Sequence, residues 1–160
     1  MQLYLMRHGE ALNGAGDETR TLSPVGIAAV SRMAQHFRSL GLRFHRILSS
    51  PLLRSRQTAE RIARTLEIDR PVEIFEELLS GEEPSAFRRL LASSNPGHTL
   101  LAVGHQPLLG RLVTELAFGD ARDGLVVSPA TVCWVELPDI SQSTNGLLRG
   151  VWDPETLAGS

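Results

Sequence analysis

Short apolar runs alternate with amphipathic stretches along most of this chain. Leu3 to Met6 is an uninterrupted apolar run and predicts a buried strand. The polar, glycine-containing segment from Glu10 to Arg20 reads as a loop. Ser23-Pro24 is a helix start, with serine as the cap and proline in the first helical position. Val25, Ala29, Met33, Phe37 and Leu40 then recur at helical spacing, and Gly41 supplies the stop. Arg46 to Ser49 predicts a second strand. Ser50-Pro51 repeats the cap-plus-proline signal before a helix whose buried stripe is Leu52, Ser55, Ala59, Ile62 and Leu66. Val72 to Phe75 predicts a third strand, and Pro84 opens a helix carrying Phe87, Leu90 and Leu91. Thr99 to Val103 predicts a fourth strand, and Pro107 to Ala117 a fourth helix. Thr131 to Leu137 and Leu147 to Trp152 read as two closing strands that pair with each other.

Strands alternating with helices predict an α/β fold, a mostly parallel sheet with helices on both faces. No repeat, low-complexity tract or linker interrupts the pattern, so a single domain is expected over residues 1–153, with 154–160 as a frayed tail. A chain of 160 residues suffices for one proper core. The net charge of -2 gives no electrostatic reason for a nucleic-acid or anionic-membrane partner. The opening run is too short for an export signal, and no stretch approaches the ~20 apolar residues of a membrane span. The expectation is a soluble, cytoplasmic monomer. The single cysteine, Cys133, excludes an internal disulfide framework and a cysteine-rich metal site. All 16 basic residues are arginine, which excludes the lysine-dependent chemistries of a Walker-A phosphate loop and of a Schiff base.

Ligands of open α/β sheets bind beyond the carboxyl ends of the strands. Arg7, His8 and Gly9 follow the first strand. Ser49, Ser50 and Pro51 follow the second, with Arg54 in the first turn of the next helix. Glu76 and Glu77 follow the third, and Gly104, His105 and Gln106 the fourth. Guanidinium groups match the oxygens of a phosphoryl group with paired hydrogen bonds. The helix start near Arg54 also favours anions. Gly9 would let backbone approach a ligand closely. A neutral imidazole is a competent nucleophile at phosphorus, and neighbouring arginines disfavour its protonation. His105 could donate to a phosphoryl oxygen. A two-histidine metal site lacks a third ligand.

Met6-Arg7-His8-Gly9-Glu10-Ala11 resembles the R-H-G signature of the histidine phosphatase (phosphoglycerate mutase-like) superfamily. The stretch from Ser49 to Ala59 resembles its S-P-x-x-R-x-x-Q-T-A segment, and Val103 to Pro107 its second-histidine segment. Asp17 to Gly26 is similar to its D-x-x-R-x-L-[ST]-x-x-G stretch. The short length and the opening look most like the SixA-like phosphohistidine phosphatase subgroup. The resemblance implies a phosphoglycerate mutase-like three-layer α/β/α sandwich. It also implies His8 as the phosphorylated nucleophile, Arg7, Arg54 and His105 as the phosphate pocket, and no metal or other cofactor.

Relatives that cleave phosphate esters protonate the leaving oxygen with a carboxylic acid, and Glu77 stands about where that acid is expected. Phosphohistidine has a P–N bond whose imidazole leaves with less help. The stretches between motifs are short, so the site should be uncapped and open, which suits a phosphorylated side chain on a partner protein. The expected activity is dephosphorylation of phosphohistidine on such a protein. A small-molecule phosphomonoesterase is the alternative, a non-catalytic phosphate-binding module is less favoured, and a mutase less still. Arg20 is expected to hold the early loop, and Arg56, Arg61 and Arg64 to form a solvated helix face. His36, His45 and His98 are expected at the surface. Cys133, Trp134 and Trp152 are expected in packing roles.

Overall fold

The computed structural model describes residues 1–160 except 15, 120–123, 139–145 and 160, with the backbone alone for 158 and 159. In chain order the elements are β1 (Gln2–Arg7), α1 (Pro24–Ser39), β2 (Arg46–Ser49), α2 (Leu53–Thr65), β3 (Glu73–Ile74), α3 (Pro84–Ala92), β4 (Thr99–Gly104), α4 (Leu108–Phe118), β5 (Val132–Glu136) and β6 (Leu147–Trp152). Short 3-10 turns lie at Asp17–Thr19, Glu76–Leu78 and Thr156–Gly159. One sheet carries all six strands in the order β3-β2-β4-β1-β5-β6. The first four in that order run parallel, and β5 and β6 are antiparallel to their neighbours.

Successive residues of a strand face opposite sides of its sheet, so a run apolar at every position must be covered on both. β1 meets that condition. Leu3 and Leu5 join Leu48, Leu100 and Ala102 under α3 and α4, where Phe87, Leu91, Leu108 and Leu112 close the core. Tyr4 and Met6 join Ile47, Leu101 and Val103 under α1 and α2, against Met33, Phe37, Ala59 and Ile62. The fold is therefore the expected α/β/α sandwich. No helix among the described residues is long and apolar enough to cross a membrane.

The Ser23 hydroxyl accepts from the Gly26 N–H at 3.0 Å, so the cap predicted for α1 is present. Its buried face differs from the predicted stripe at both ends. Val25 is 59% exposed and Leu40 51% exposed, whereas Val30 and Ala34 are buried. Each four-residue step advances about 40° around a helix, so a stripe of strict fours rotates off one face. Val25 falls on the far side of that drift, and Leu40 lies past the last helical residue as the C-cap.

The segment 154–160, expected to fray, is docked as far as it is described. Pro154 is buried, its carbonyl accepts from Arg32 Nε at 3.2 Å, and Leu157 packs on the α1–α2 side of the core. Ser160 lies outside the described residues. Of the three remaining histidines, His45 is exposed as expected, whereas His36 and His98 are half-buried. His45 and His98 stack at 4.7 Å, with His45 Nδ1 accepting the Thr99 N–H, and His36 lies edge-on to Trp152. Cys133 is buried, and Trp134 stacks on Tyr4.

Two glycines hold α1 against the chain leaving β1. A Cβ on Gly26 would stand 2.1 Å from the carbonyl oxygen of Glu10, and one on Gly9 would stand 2.7 Å from Val30 Cγ2. The first turn of α1 thus lies directly on the segment after His8. Gly26→Ala should destabilise the chain by about 1–3 kcal/mol in urea unfolding, the usual cost of overpacking. A change below about 0.5 kcal/mol, the range of a neutral surface substitution, would show that the contact is not tight.

Candidate active site

β4 lies between β2 and β1, so the carboxyl ends of these three strands are adjacent. They deliver Ser50, His105 and His8 side by side. The exits are tied to β4: the His8 N–H donates to the Gly104 carbonyl and the Ser50 N–H to the Val103 carbonyl, each at 3.1 Å. The His8 and His105 rings stand 4.8 Å apart between centroids.

His8 Nδ1 lies 2.7 Å from the Gly9 carbonyl oxygen. A carbonyl can only accept, so Nδ1 carries the proton and Nε2 keeps its lone pair. Arg54 Nε donates to that Nε2 at 3.2 Å. Arg54 is almost fully buried in the first turn of α2, and its other nitrogens donate to the backbone oxygen of Asp17 at 2.6 Å and to its carboxylate at 3.1 Å. Arg7 donates through one terminal nitrogen to the Val127 carbonyl at 2.9 Å. Its buried Nε has no partner among the described residues. Arg20 holds the early loop, as expected, by donating from Nε to the Leu12 carbonyl at 2.9 Å. It also faces the same cavity as His8. That cavity has a volume of about 250 Å³, with Arg7, His8, Glu10, Arg20, Arg54 and His105 in its wall.

Both imidazoles are held neutral. Burial pushes His8 down to about 4, assisted by the charges of Arg54, Arg7 and Arg20, while the bond to Gly9 acts the other way. Burial also pushes His105 down to about 3, with His8, Arg54 and Arg7 adding to it and Asp17 opposing. Asp17 is held below the usual carboxylate range by its hydrogen bond to Arg54. The result is a concentration of guanidinium charge around two uncharged rings, which suits an anion facing a nitrogen nucleophile.

The structure brings together His8, Arg7, Arg54 and His105. It places Gly9 differently from expectation. The Gly9 N–H donates to Thr58 Oγ1 at 3.1 Å rather than facing the cavity, and its missing Cβ makes room for Val30. Glu77, expected near the site, sits half-buried in the Glu76–Leu78 turn and is not among the cavity-lining residues, whereas Glu10 and Ser80 are. The Ser50-Pro51 signal does not cap α2, whose N-cap is Leu52 without a side-chain hydrogen bond. The Ser50 hydroxyl lies instead 2.6 Å from His105 Nε2, and Ser55 Oγ lies 3.2 Å from the same nitrogen.

Three supporting residues were not singled out by sequence reasoning. Asp17 partners Arg54, Gln57 Oε1 accepts the Leu22 N–H at 2.8 Å, and Thr58 holds Gly9. Gln57 and Thr58 follow Arg54 by three and four residues, the spacing that shares one helix face, and that was the available signal. No group of three or more His, Cys, Asp or Glu that could hold a metal ion occurs among the described residues.

Fold and site together define an α/β enzyme with an arginine-lined cavity around two neutral histidines, and the chain belongs to the histidine phosphatase superfamily (branch 1), whose model matches residues 3–79. It is 35% identical over 123 residues to the phosphohistidine phosphatase SixA of Escherichia coli, covering 75% of this chain and 76% of that one. It is 37% identical over 137 residues to an uncharacterized protein of Picosynechococcus, covering 82% of each. Its fold superposes on a solved structure of the protein histidine phosphatase SixA complexed with tungstate, with a TM-score of 0.88, 31% identity and coverage of 98% and 99%.

In an NMR titration the His8 ring should change charge near about 4 instead of the ordinary 6.5. Arg54→Ala removes a nearby positive charge and should raise that midpoint; a midpoint near 6.5 in the unsubstituted chain would refute the electrostatic account. The unfolded chain binds protons at these rings before the folded one does. Stability contributed by the neutral rings is therefore full above 6.5 and lost as pH falls toward about 4, which thermal unfolding across that window would record.

Proposed function

We propose that this enzyme removes phosphate from phosphohistidine on a partner protein, through a phosphorylated His8. The observation that carries the proposal is the locked ring of His8: Nδ1–H is held on Gly9, so Nε2 keeps the lone pair, which here accepts from Arg54 Nε. In the first step Nε2 attacks phosphorus, a new P–N bond forms and the P–N bond of the substrate breaks. The substrate imidazole, protonated on its other nitrogen, leaves as a neutral ring. In the second step water attacks phosphorus and the bond to Nε2 breaks. His8 already carries its proton on Nδ1, so it too leaves neutral, and the water protons remain on the released dihydrogen phosphate. Arg7, Arg54 and Arg20 hold the phosphoryl oxygens throughout.

Two features support a protein-borne phosphoramidate over a sugar phosphate. The cavity, at about 250 Å³, falls below the ~300–1,000 Å³ of sites that enclose a drug-sized ligand. It fits a phosphoryl group and an imidazole while the carrier stays outside. The carboxylate expected to protonate an alkoxide, Glu77, does not line the cavity. Neither step as written needs a metal ion, and a cytoplasmic setting accords with a reduced Cys133.

Labelled phosphate from a phosphohistidine protein should be trapped on His8, and His8→Ala should lose roughly a thousandfold or more in rate. Glu77→Gln should change the rate on that substrate by no more than about twofold, well under the roughly hundredfold worth of a general acid. Label on another residue would overturn the mechanism. Hydrolysis of a sugar phosphate alone, abolished by Glu77→Gln, would overturn the substrate class.

A further inference from the structure

We propose that Ser50 and Ser55 are positioning residues that hold His105 in the tautomer bearing its proton on Nδ1, so that the neutral ring presents a fixed N–H donor to the phosphoryl group. The inference rests on the phosphoryl pocket described above, but not on which phosphorylated molecule enters it.

Both serines are fully buried, one at the end of β2 and the other in the first turn of α2. Their hydroxyls converge on one atom, His105 Nε2, at 2.6 and 3.2 Å. Neither hydroxyl has another acceptor among the described residues. Ser50 Oγ is not used as a helix cap, and the Ser49 hydroxyl is directed to the Ser50 carbonyl instead.

The balance of donors and acceptors then decides the tautomer. If Nε2 carried the proton, one N–H would face two hydroxyl oxygens, and both O–H groups would be buried donors with nothing to receive them. Each such donor would give up its hydrogen bond to water with nothing in exchange. If Nε2 keeps its lone pair, at least the closer hydroxyl, that of Ser50, donates to it and the conflict is largely removed. The single proton of the neutral ring must then sit on Nδ1. His105 lines the cavity, and its Nδ1 has no protein partner among the described residues and is not sealed from solvent.

Ionised phosphoryl oxygens accept hydrogen bonds, so a lone pair at Nδ1 would repel them and an N–H attracts them. A cationic His105 would supply the donor as well, but burial opposes that charge, and the surrounding arginines add to the opposition. The serines therefore provide by tautomer what protonation would otherwise have to provide. The spatial order β2-β4-β1 makes this possible, because it sets His105 between the serine on one side and His8 on the other.

The test needs no substrate in its first arm. In the ¹⁵N-labelled full chain at neutral pH, His105 should show a protonated, pyrrole-type Nδ1 and an unprotonated, pyridine-type Nε2. The reverse pattern would overturn the proposal. In the Ser50→Ala, Ser55→Ala double variant the ring should move toward the Nε2–H tautomer. In that variant kcat should fall about 10- to 100-fold with KM changed less, as for loss of a transition-state donor. Ser50→Ala alone should lie between. A double variant that keeps the Nδ1–H signature, or that keeps kcat with the tautomer changed, would also overturn it. Failure of the substrate assignment would leave the NMR arm unchanged, so the two readings fail separately.

Discussion

Two imidazole rings 4.8 Å apart must both remain uncharged in the middle of three guanidinium groups, and the arrangement of the site follows from that constraint. Burial accomplishes most of it and the arginine charges add to it. A neutral imidazole, however, has two tautomers, and only one is useful at each position. His8 needs its lone pair at Nε2, and the Gly9 carbonyl fixes this by accepting from Nδ1. His105 needs the same tautomer for the opposite purpose, with its Nδ1–H as the donor toward the cavity, and the two serine hydroxyls at its Nε2 favour it. Asp17 completes the balance by holding the buried Arg54 with both backbone and carboxylate oxygens.

The sheet order turns this chemistry into a geometry. β1 is central and pairs with β4 on one side and β5 on the other. Its neighbours supply nearly everything His8 needs. β4 leads into His105, β2 beyond it leads into Ser50, and the segment before β5 offers the Val127 carbonyl to Arg7. α2 then serves as a bracket. Arg54 reaches His8, Ser55 reaches His105, Thr58 holds Gly9 and Gln57 holds Leu22. Four residues within the first turn and a half of α2 fix both the cavity wall and the loop that carries His8. α1 presses on that loop from the other side through the Gly9 and Gly26 contacts.

How much of this was legible in the sequence depended on whether a residue's partner was near in the chain. The strands, the cap of α1 and the convergence of His8, Arg54 and His105 at neighbouring strand ends all follow from local periodicity plus the rule that ligands bind at carboxyl ends. Ser50 is the instructive failure. Serine before proline is a strong local cap signal, but its hydroxyl is taken by a histidine 55 residues away. Gly9 fails for the same reason, because the atom that demands its missing Cβ belongs to Val30 on another element. Asp17 lies in a recognised stretch, but its partner is Arg54, 37 residues on. Val25 failed differently, through the drift of a four-residue spacing around the helix.

The same choice of tautomer lets the proposed reaction proceed without a carboxylic acid at the leaving group. In the transfer from phosphohistidine to His8, donor and acceptor are chemically the same ring, each with a proton on the nitrogen that is not bonded to phosphorus. The P–N bond that forms is therefore of the kind that breaks, and neither side needs a proton delivered to the departing nitrogen. What remains is to hold the phosphoryl oxygens while charge redistributes among them, which is electrostatic work suited to fixed donors. Arg7, Arg54 and Arg20 supply charge, and His105 supplies a neutral donor where a fourth cation would further depress the affinity of His8 for the incoming group. A phosphate ester lacks this symmetry, since an alkoxide leaves poorly without a proton. Glu77 is half-buried and lies outside the cavity wall, and the carboxylate in that wall is Glu10.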